Sequence, residues 1–146
     1  MAGGWGIDAL LGRQTRDHSD VDLAIPGESE ATAIGILAVL GYKPFPELDW
    51  RPIRLGLRDE VSRQVDLHPV FFDEHGDGTQ ANVGDLPPFQ YSAGDFETGA
   101  IGGVCLPCIS KRLQLQFHAG YTLSEKDQQD LDELRSMALS QRAPQS

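Results

Sequence analysis

His18-Ser19-Asp20-Val21-Asp22-Leu23-Ala24-Ile25 sets Val21, Leu23 and Ile25 in alternation with Asp20 and Asp22, the period of a strand with one apolar face. Residues i and i+2 of a strand share a face, roughly 7 Å apart at about 3.3 Å per residue. The two carboxylates therefore converge on one side while the aliphatic side chains anchor the other. Hard divalent cations prefer such oxygen ligands. Upstream, Gly3-Gly4-Trp5 opens a stretch with Trp5, Ile7, Leu10 and Leu11 at helical spacing, closed by Gly12. A glycine pair at a helix start lets backbone N–H groups approach a phosphate, and the helix dipole favours that anion. Downstream, Gln64-Val65-Asp66-Leu67-His68 reads as another strand and carries a third acid, Asp66. Each feature alone has a duller reading: chain starts are often glycine-rich, and a DxD on a strand is often a solvated edge. Together they form a layout for nucleotidyl transfer, in which a hydroxyl attacks an α-phosphate while pyrophosphate leaves in line. Carboxylate-held magnesium serves that reaction by activating the attacking oxygen and neutralising the leaving one.

The remaining chain reads as a mixed sheet followed by helices. Residues 13–18 are polar and read as a loop. Pro26-Gly27 turns the chain into a helix over 28–40, with Ile34, Leu37 and Leu40 inward and Gly41 as its stop. Strands are expected over 42–45, 53–57 and 65–72, with Pro69 placing the last at a sheet edge or a strand end. Residues 73–84, rich in Gly, Asp and Asn, read as a loop, and 89–104 as two short strands around Gly99, Gly102 and Gly103. Ser110 is placed to cap a helix through Leu113, Leu115 and Phe117. Ser124-Glu125-Lys126-Asp127 forms a capping box with Asp at its fourth position, ahead of a helix striped by Leu131, Leu134 and Met137. We expect residues 1–109 to form the sheet part and 110–142 a helical part of the same compact unit, with 143–146 a frayed tail.

Composition narrows the partners. The 146 residues carry a formal net charge of −10, and no run of Lys or Arg offers the basic patch that backbone recognition of nucleic acid requires. An acidic surface suits a cationic small molecule, and equally an ordinary cytosolic protein. No apolar run approaches the roughly 20 residues of a bilayer span, and the N-terminus has no charged-then-apolar leader. The expectation is a cytoplasmic protein with neither membrane nor nucleic-acid partner. Cys105 and Cys108, a single CxxC without a second ligand pair, read as reduced, partly buried thiols.

The motifs Gly3-Gly4-Trp5-Gly6-Ile7-Asp8, His18-Ser19-Asp20-Val21-Asp22 and Val65-Asp66-Leu67-His68-Pro69 together resemble the antibiotic nucleotidyltransferases of the polymerase-β-like superfamily. The resemblance is greatest to the small lincosamide nucleotidyltransferases. It continues through Thr79-Gln80-Ala81-Asn82, Pro107-Cys108-Ile109-Ser110-Lys111, Phe117-His118-Ala119-Gly120-Tyr121, Asp127 and Asp130. The aminoglycoside 2″-nucleotidyltransferases share the N-terminal half more loosely. The resemblance implies an α+β fold: a small mixed sheet with flanking helices, then C-terminal helices that help enclose the substrate. It implies Mg2+, with ATP or another nucleoside triphosphate as donor and a small-molecule antibiotic as acceptor. Carried across by position, Asp20 and Asp22 become metal ligands, and Asp66 the third carboxylate, as metal ligand or general base. Gly3 and Gly4 become the phosphate cradle. Arg13, Arg16, His18 and Lys111 are candidate nucleotide contacts, set against solvated loop or helix-start residues.

The superfamily commonly has serine after the glycine pair, where this chain has Trp5, as in the small lincosamide group. The resemblance also implies a helix and most of a strand ahead of the glycines, whereas the sequence starts two residues before Gly3. We therefore expect either a fragment or a domain that manages without that strand, whose exposed neighbour would invite pairing into a homodimer. Trp50 and Tyr91 could line an antibiotic pocket or serve packing, and His118 could be functional or a satisfied core histidine. Two other readings stay open: a toxin-like transferase acting on tRNA or protein, and a non-catalytic nucleotide-binding domain.

Overall fold

In the computed structural model, residues 1–119 and 121–140 are described, and the chain forms two compact units. One holds Met1 and residues 18–94; the other holds residues 2–17 and the chain from Asp95 onward. The expected tail at 143–146, residues 141 and 142 of the expected helical part, and Gly120 lie outside the described residues.

The first unit is a mixed six-stranded sheet built from β1 (Asp20–Pro26), β2 (Lys43–Trp50), β3 (Arg54–Arg58), β4 (Gln64–Phe72), β5 (Gly78–Gln80) and β6 (Phe89–Tyr91). Neighbours run β2-β3-β4-β5-β6, and β1 lies alongside β4. β1 and β4 are parallel, while the β2–β3, β3–β4, β4–β5 and β5–β6 pairs are antiparallel. A parallel pair needs a long crossover, and here it contains helix α2 (Glu30–Val39) and strands β2 and β3.

Alternation decides which side is core. Leu55, Leu57, Val65 and Leu67 are at most 5% exposed, and Val21, Leu23, Ile25, Ala33, Ile34, Leu37 and Tyr42 pack against them. The apolar face of β1 is thus anchored on the core, as the sequence implied, and α2 packs against the same cluster. Each buried Leu or Val contributes about 1.5–3 kcal/mol. The end of α2 departs from expectation. The Tyr42 N–H donates to the Leu37 carbonyl and the Gly41 N–H to the Ala38 carbonyl, both at 3.0 Å, a Schellman closure. It turns the chain before Leu40 can point inward; Leu40 is 64% exposed.

Two other expectations are corrected. Pro69 lies in the central strand, not at an edge or an end. On one side β4 pairs with β1 through Val70; on the other, β3 pairing stops at Leu67 and β5 pairing starts at Phe71. Pro69 falls in that interval, where a missing N–H costs no ladder bond on the β3–β5 side. The expected loop at 73–84 contains β5, because the Asp73 N–H bonds to the Asp77 carbonyl and closes a β4–β5 hairpin.

The second unit combines α1 (Gly3–Leu11), a hairpin of β7 (Phe96–Ile101) and β8 (Val104–Ile109), α3 (Lys111–Phe117) and α4 (Glu125–Ser140). The expected caps form: the Ser110 hydroxyl accepts from the Leu113 N–H at 3.1 Å. Ser124 and Asp127 exchange bonds, the Ser124 N–H reaching Asp127 Oδ2 at 2.8 Å and the Asp127 N–H reaching Ser124 Oγ at 3.2 Å. α1 packs against β7, β8, α3 and α4. Cys105 is exposed and Cys108 buried; three apart on β8, they point to opposite faces, so the CxxC is no ligand pair. Burial pushes the Cys108 thiol up. Among the described residues, no helix is long and apolar enough to cross a membrane.

Candidate metal and nucleotide site

The sheet face opposite α2 carries the chemistry. β1 and β4 align Asp20 with Gln64 and Asp22 with Asp66, while β3 places Gly56 across from Asp66. The register therefore sets Asp20, Asp22, Gln64, Asp66 and Gly56 on one surface, with His68 following Asp66 at the same period. Carboxylate oxygens of Asp20, Asp22 and Asp66 lie within 4.8 Å of one another. All three donors are hard oxygens, the set magnesium takes. Asp20, Asp22 and Asp66 would hold such a cation between them, where it would neutralise charge on a phosphate. The residues present fit a divalent cation.

The three acids differ in environment. Asp20 and Asp22 are partly exposed, whereas Asp66 is fully buried. Asp66 survives burial because the Gln64 amide donates to both its oxygens at 2.9 and 3.1 Å, and Arg54 Nη1 lies 3.2 Å from Oδ2. Burial pushes its carboxyl up, Asp22 and Asp20 push the same way, and Gln64 and Arg54 only partly offset this. The Arg54 guanidinium rests over the Trp50 ring, 5.4 Å from its centroid, and Trp50 is 54% exposed. Gly56 permits the crowding, since an added Cβ would lie 2.9 Å from Asp66 Oδ1 and 2.5 Å from the Leu48 Cβ.

Asp22 leans on a second set of partners. His68 Nε2 lies 2.8 Å from Asp22 Oδ1, the Gln80 amide nitrogen lies 3.3 Å from His68 Nδ1, and the Tyr91 hydroxyl donates to Gln80 Oε1 at 2.6 Å. Tyr91 is buried, and burial together with the Asp22 charge pushes its hydroxyl up. Tyr91 is thus a packed and hydrogen-bonded residue. Gln64, His68, Arg54 and Gln80 were not singled out as site residues by the sequence, although Gln64 and His68 flank Asp66 at i−2 and i+2, the spacing that puts them on its face.

The other candidates belong to the second unit, except His18, which is half-buried in the first. Gly3 takes φ +58° at the start of α1, a left-handed conformation that favours glycine. The Gln114 amide donates to its carbonyl at 3.3 Å. Arg16 grips Asp130 with two bonds of 2.8 and 2.7 Å, and Arg13 Nη2 meets Glu133 Oε2 at 2.7 Å. The Asp130 hydrogen bond raises the Arg16 pKa further. Lys111 is half-buried at the first position of α3. His118 Nδ1 lies 2.7 Å from the Gln114 carbonyl oxygen, and its Nε2 lies 3.7 Å from Asp127 Oδ1; its ring is satisfied within the unit.

A parallel strand pair that presents three carboxylates in register, inside a small mixed sheet, defines a nucleotidyltransferase-type α+β protein with a site suited to divalent metal. The chain belongs to the aminoglycoside-2″-adenylyltransferase family, whose model matches residues 1–134. It is 38% identical over 141 residues to a lincosamide resistance protein of Staphylococcus haemolyticus, covering 94% of this chain and 83% of that one. It is 37% identical over 112 residues to a 2″-aminoglycoside nucleotidyltransferase of Escherichia coli, covering 75% of this chain and 56% of the relative's length. The fold matches the lincomycin-bound crystal structure of lincosamide antibiotic adenylyltransferase LnuA with a TM-score of 0.80 at 35% identity, over 93% of this chain and 84% of that one.

Proposed function

We propose that this chain is an adenylyltransferase that moves AMP from ATP to a hydroxyl of a small-molecule antibiotic of the lincosamide type, so inactivating the drug. The observation that carries this reading is the three-carboxylate cluster, held in register by β1 and β4. Its support is the 38% identity to the S. haemolyticus lincosamide resistance protein across 94% of the chain. Asp20 and Asp22 would hold Mg2+, with Asp66 beside them. When bound, magnesium draws charge from the α-phosphate and the departing pyrophosphate.

The chain's own residues do the rest. Asp66 takes the proton of the attacking hydroxyl as the new oxygen–phosphorus bond forms and the α–β phosphoanhydride bond breaks, releasing pyrophosphate. Its buried setting and raised pKa support that role, since a base works best when its pKa is brought up toward the operating pH. Gln64 and Arg54 hold the carboxylate still. By the family resemblance alone, Gly3 and Gly4 are the proposed phosphate cradle and Arg13, His18 and Lys111 the proposed nucleotide contacts, with Arg13 also paired to Glu133. Arg16, proposed by the resemblance as a nucleotide contact, is bonded twice to Asp130 within the second unit.

A second acceptor class, the polycationic aminoglycosides, is favoured by the net charge of −10 and by the family model. One experiment separates the two. Pyrophosphate release from ATP and Mg2+ is followed with lincomycin, clindamycin and a panel of aminoglycosides, beside Asp22→Ala. Lincosamide-dependent release that falls at least about 10³-fold in Asp22→Ala is expected, a loss of roughly 4 kcal/mol of transition-state stabilisation. Release with aminoglycosides alone overturns the acceptor assignment. Full activity in Asp22→Ala overturns the metal assignment.

A further inference from the structure

We infer that Tyr91, Gln80 and His68 form a directional hydrogen-bond relay that orients the metal-binding carboxylate of Asp22, making His68 a positioning residue for the cation. The inference rests on the metal reading proposed above. Every member lies in the first unit, and the polarity of the chain is forced from its far end. The Ile53 carbonyl oxygen can only accept, and it lies 3.4 Å from the Gln80 amide nitrogen. That fixes the amide with Nε2 toward Ile53 and Oε1 toward Tyr91, whose hydroxyl must then donate, as the 2.6 Å separation implies. The second amide hydrogen points to His68 Nδ1 at 3.3 Å, so Nδ1 accepts. The ring proton therefore sits on Nε2, which donates to Asp22 Oδ1 at 2.8 Å.

The consequence is geometric. The His68 donation holds Oδ1 and so restrains the plane of the Asp22 carboxylate, which shares the cluster with Asp20 and Asp66. Gln80 is 6% and Tyr91 2% exposed, so water cannot readily substitute for their bonds and the far end of the relay is rigid. β4 supplies both His68 and Asp66, and β1 supplies both Asp20 and Asp22, so one parallel register sets the ligands and the group that orients them. Partners of metal ligands commonly matter for affinity about 10–100-fold.

The test measures metal binding directly. Mn2+ titrations of the full chain, read from the electron paramagnetic resonance of free Mn2+, compare the parent with Asp22→Ala, His68→Leu, His68→Gln and Gln80→Met. The parent should bind in a site that Asp22→Ala abolishes. His68→Leu should weaken Mn2+ binding roughly 10-fold or more, and Gln80→Met should weaken it in the same direction. His68→Gln, whose amide nitrogen can stand where Nε2 stood, should restore most of the affinity. A purely structural role would not be rescued by a donor at that one position. If Asp22→Ala loses the site while a folded His68→Leu binds Mn2+ like the parent, the relay is overturned and the metal assignment stands. If Asp22→Ala binds like the parent, the metal assignment fails and the inference falls with it.

Discussion

Gly56→Ala is a one-carbon change whose effect can be worked from the structure. Gly56 sits opposite Asp66 across the β3–β4 ladder. A Cβ there would stand 2.5 Å from the Leu48 Cβ, 2.8 Å from Leu48 Cδ1 and 2.9 Å from Asp66 Oδ1. Carbon contacts are comfortable near 3.5–4.0 Å, so the Leu48 overlap is about 1 Å. Leu48 Cδ1 can rotate away, but its Cβ moves only with β2. Such overpacking costs about 1–3 kcal/mol, against which the entropy lost by an unfolded glycine returns about 0.4–1 kcal/mol. The net expectation is a loss of roughly 1–2 kcal/mol, or several degrees of melting temperature for a chain of this size. A second effect is on rate. Relieving the 2.9 Å contact with Asp66 Oδ1 moves the carboxylate by about 0.5 Å, which should lower kcat on the order of 10-fold, with little change in the KM for ATP. Gly35→Ala is the matched control: it lies within α2 with no atom within 4 Å of an added Cβ. It should raise stability by about 0.5–1 kcal/mol and leave the rate alone. Calorimetry and pyrophosphate release on both variants decide the matter. A Gly56→Ala protein that melts and turns over like the parent would refute the packing argument and the placement of Asp66 in catalysis.

Arg16→Met leaves Asp130, 2% exposed, without its bidentate partner, and urea denaturation should report a loss of about 3–5 kcal/mol. Adding Asp130→Leu should recover most of that loss, and a single-variant cost below about 1 kcal/mol would show that the pair contributes little. Asp127→Asn probes the α4 capping box. Burial raises the Asp127 pKa, but bonds from Ser124 and the nearby His118 outweigh it and hold the group below its ordinary 3.8. A depressed carboxyl contributes stability above its unfolded pKa and loses it as pH falls through the folded value. The variant should therefore be about 0.5–1 kcal/mol less stable at pH 7 and indistinguishable from the parent in acid below that range. A penalty that persists there would locate the effect in packing.

Much of the fold and of the site was legible because period and spacing are local properties. The Val21, Leu23 and Ile25 alternation announced β1 and its apolar face, and i, i+2 spacing put Asp20 and Asp22 on the other. Ser110 and the Ser124–Asp127 box announced two helix starts through bonds made within three residues. Pro69 misled because its backbone cost depends on whether a neighbour needs its N–H, and that neighbour is supplied by β3 and β5. Leu40 misled because helical periodicity runs on past a Schellman turn that the backbone does not follow.

The sequence by itself determined the acidic motif, the strand and helix signals, and the family resemblance, since these are written in adjacent residues. Only tertiary structure decided that Asp66 stands in register with Asp22, that Gly56 gives it room, and that Gln64, Arg54, His68 and Gln80 hold the carboxylates. It also decided that α1 packs with β7, β8 and the C-terminal helices. Those facts depend on which strands pair and in what register, which long-range packing sets and no local pattern encodes.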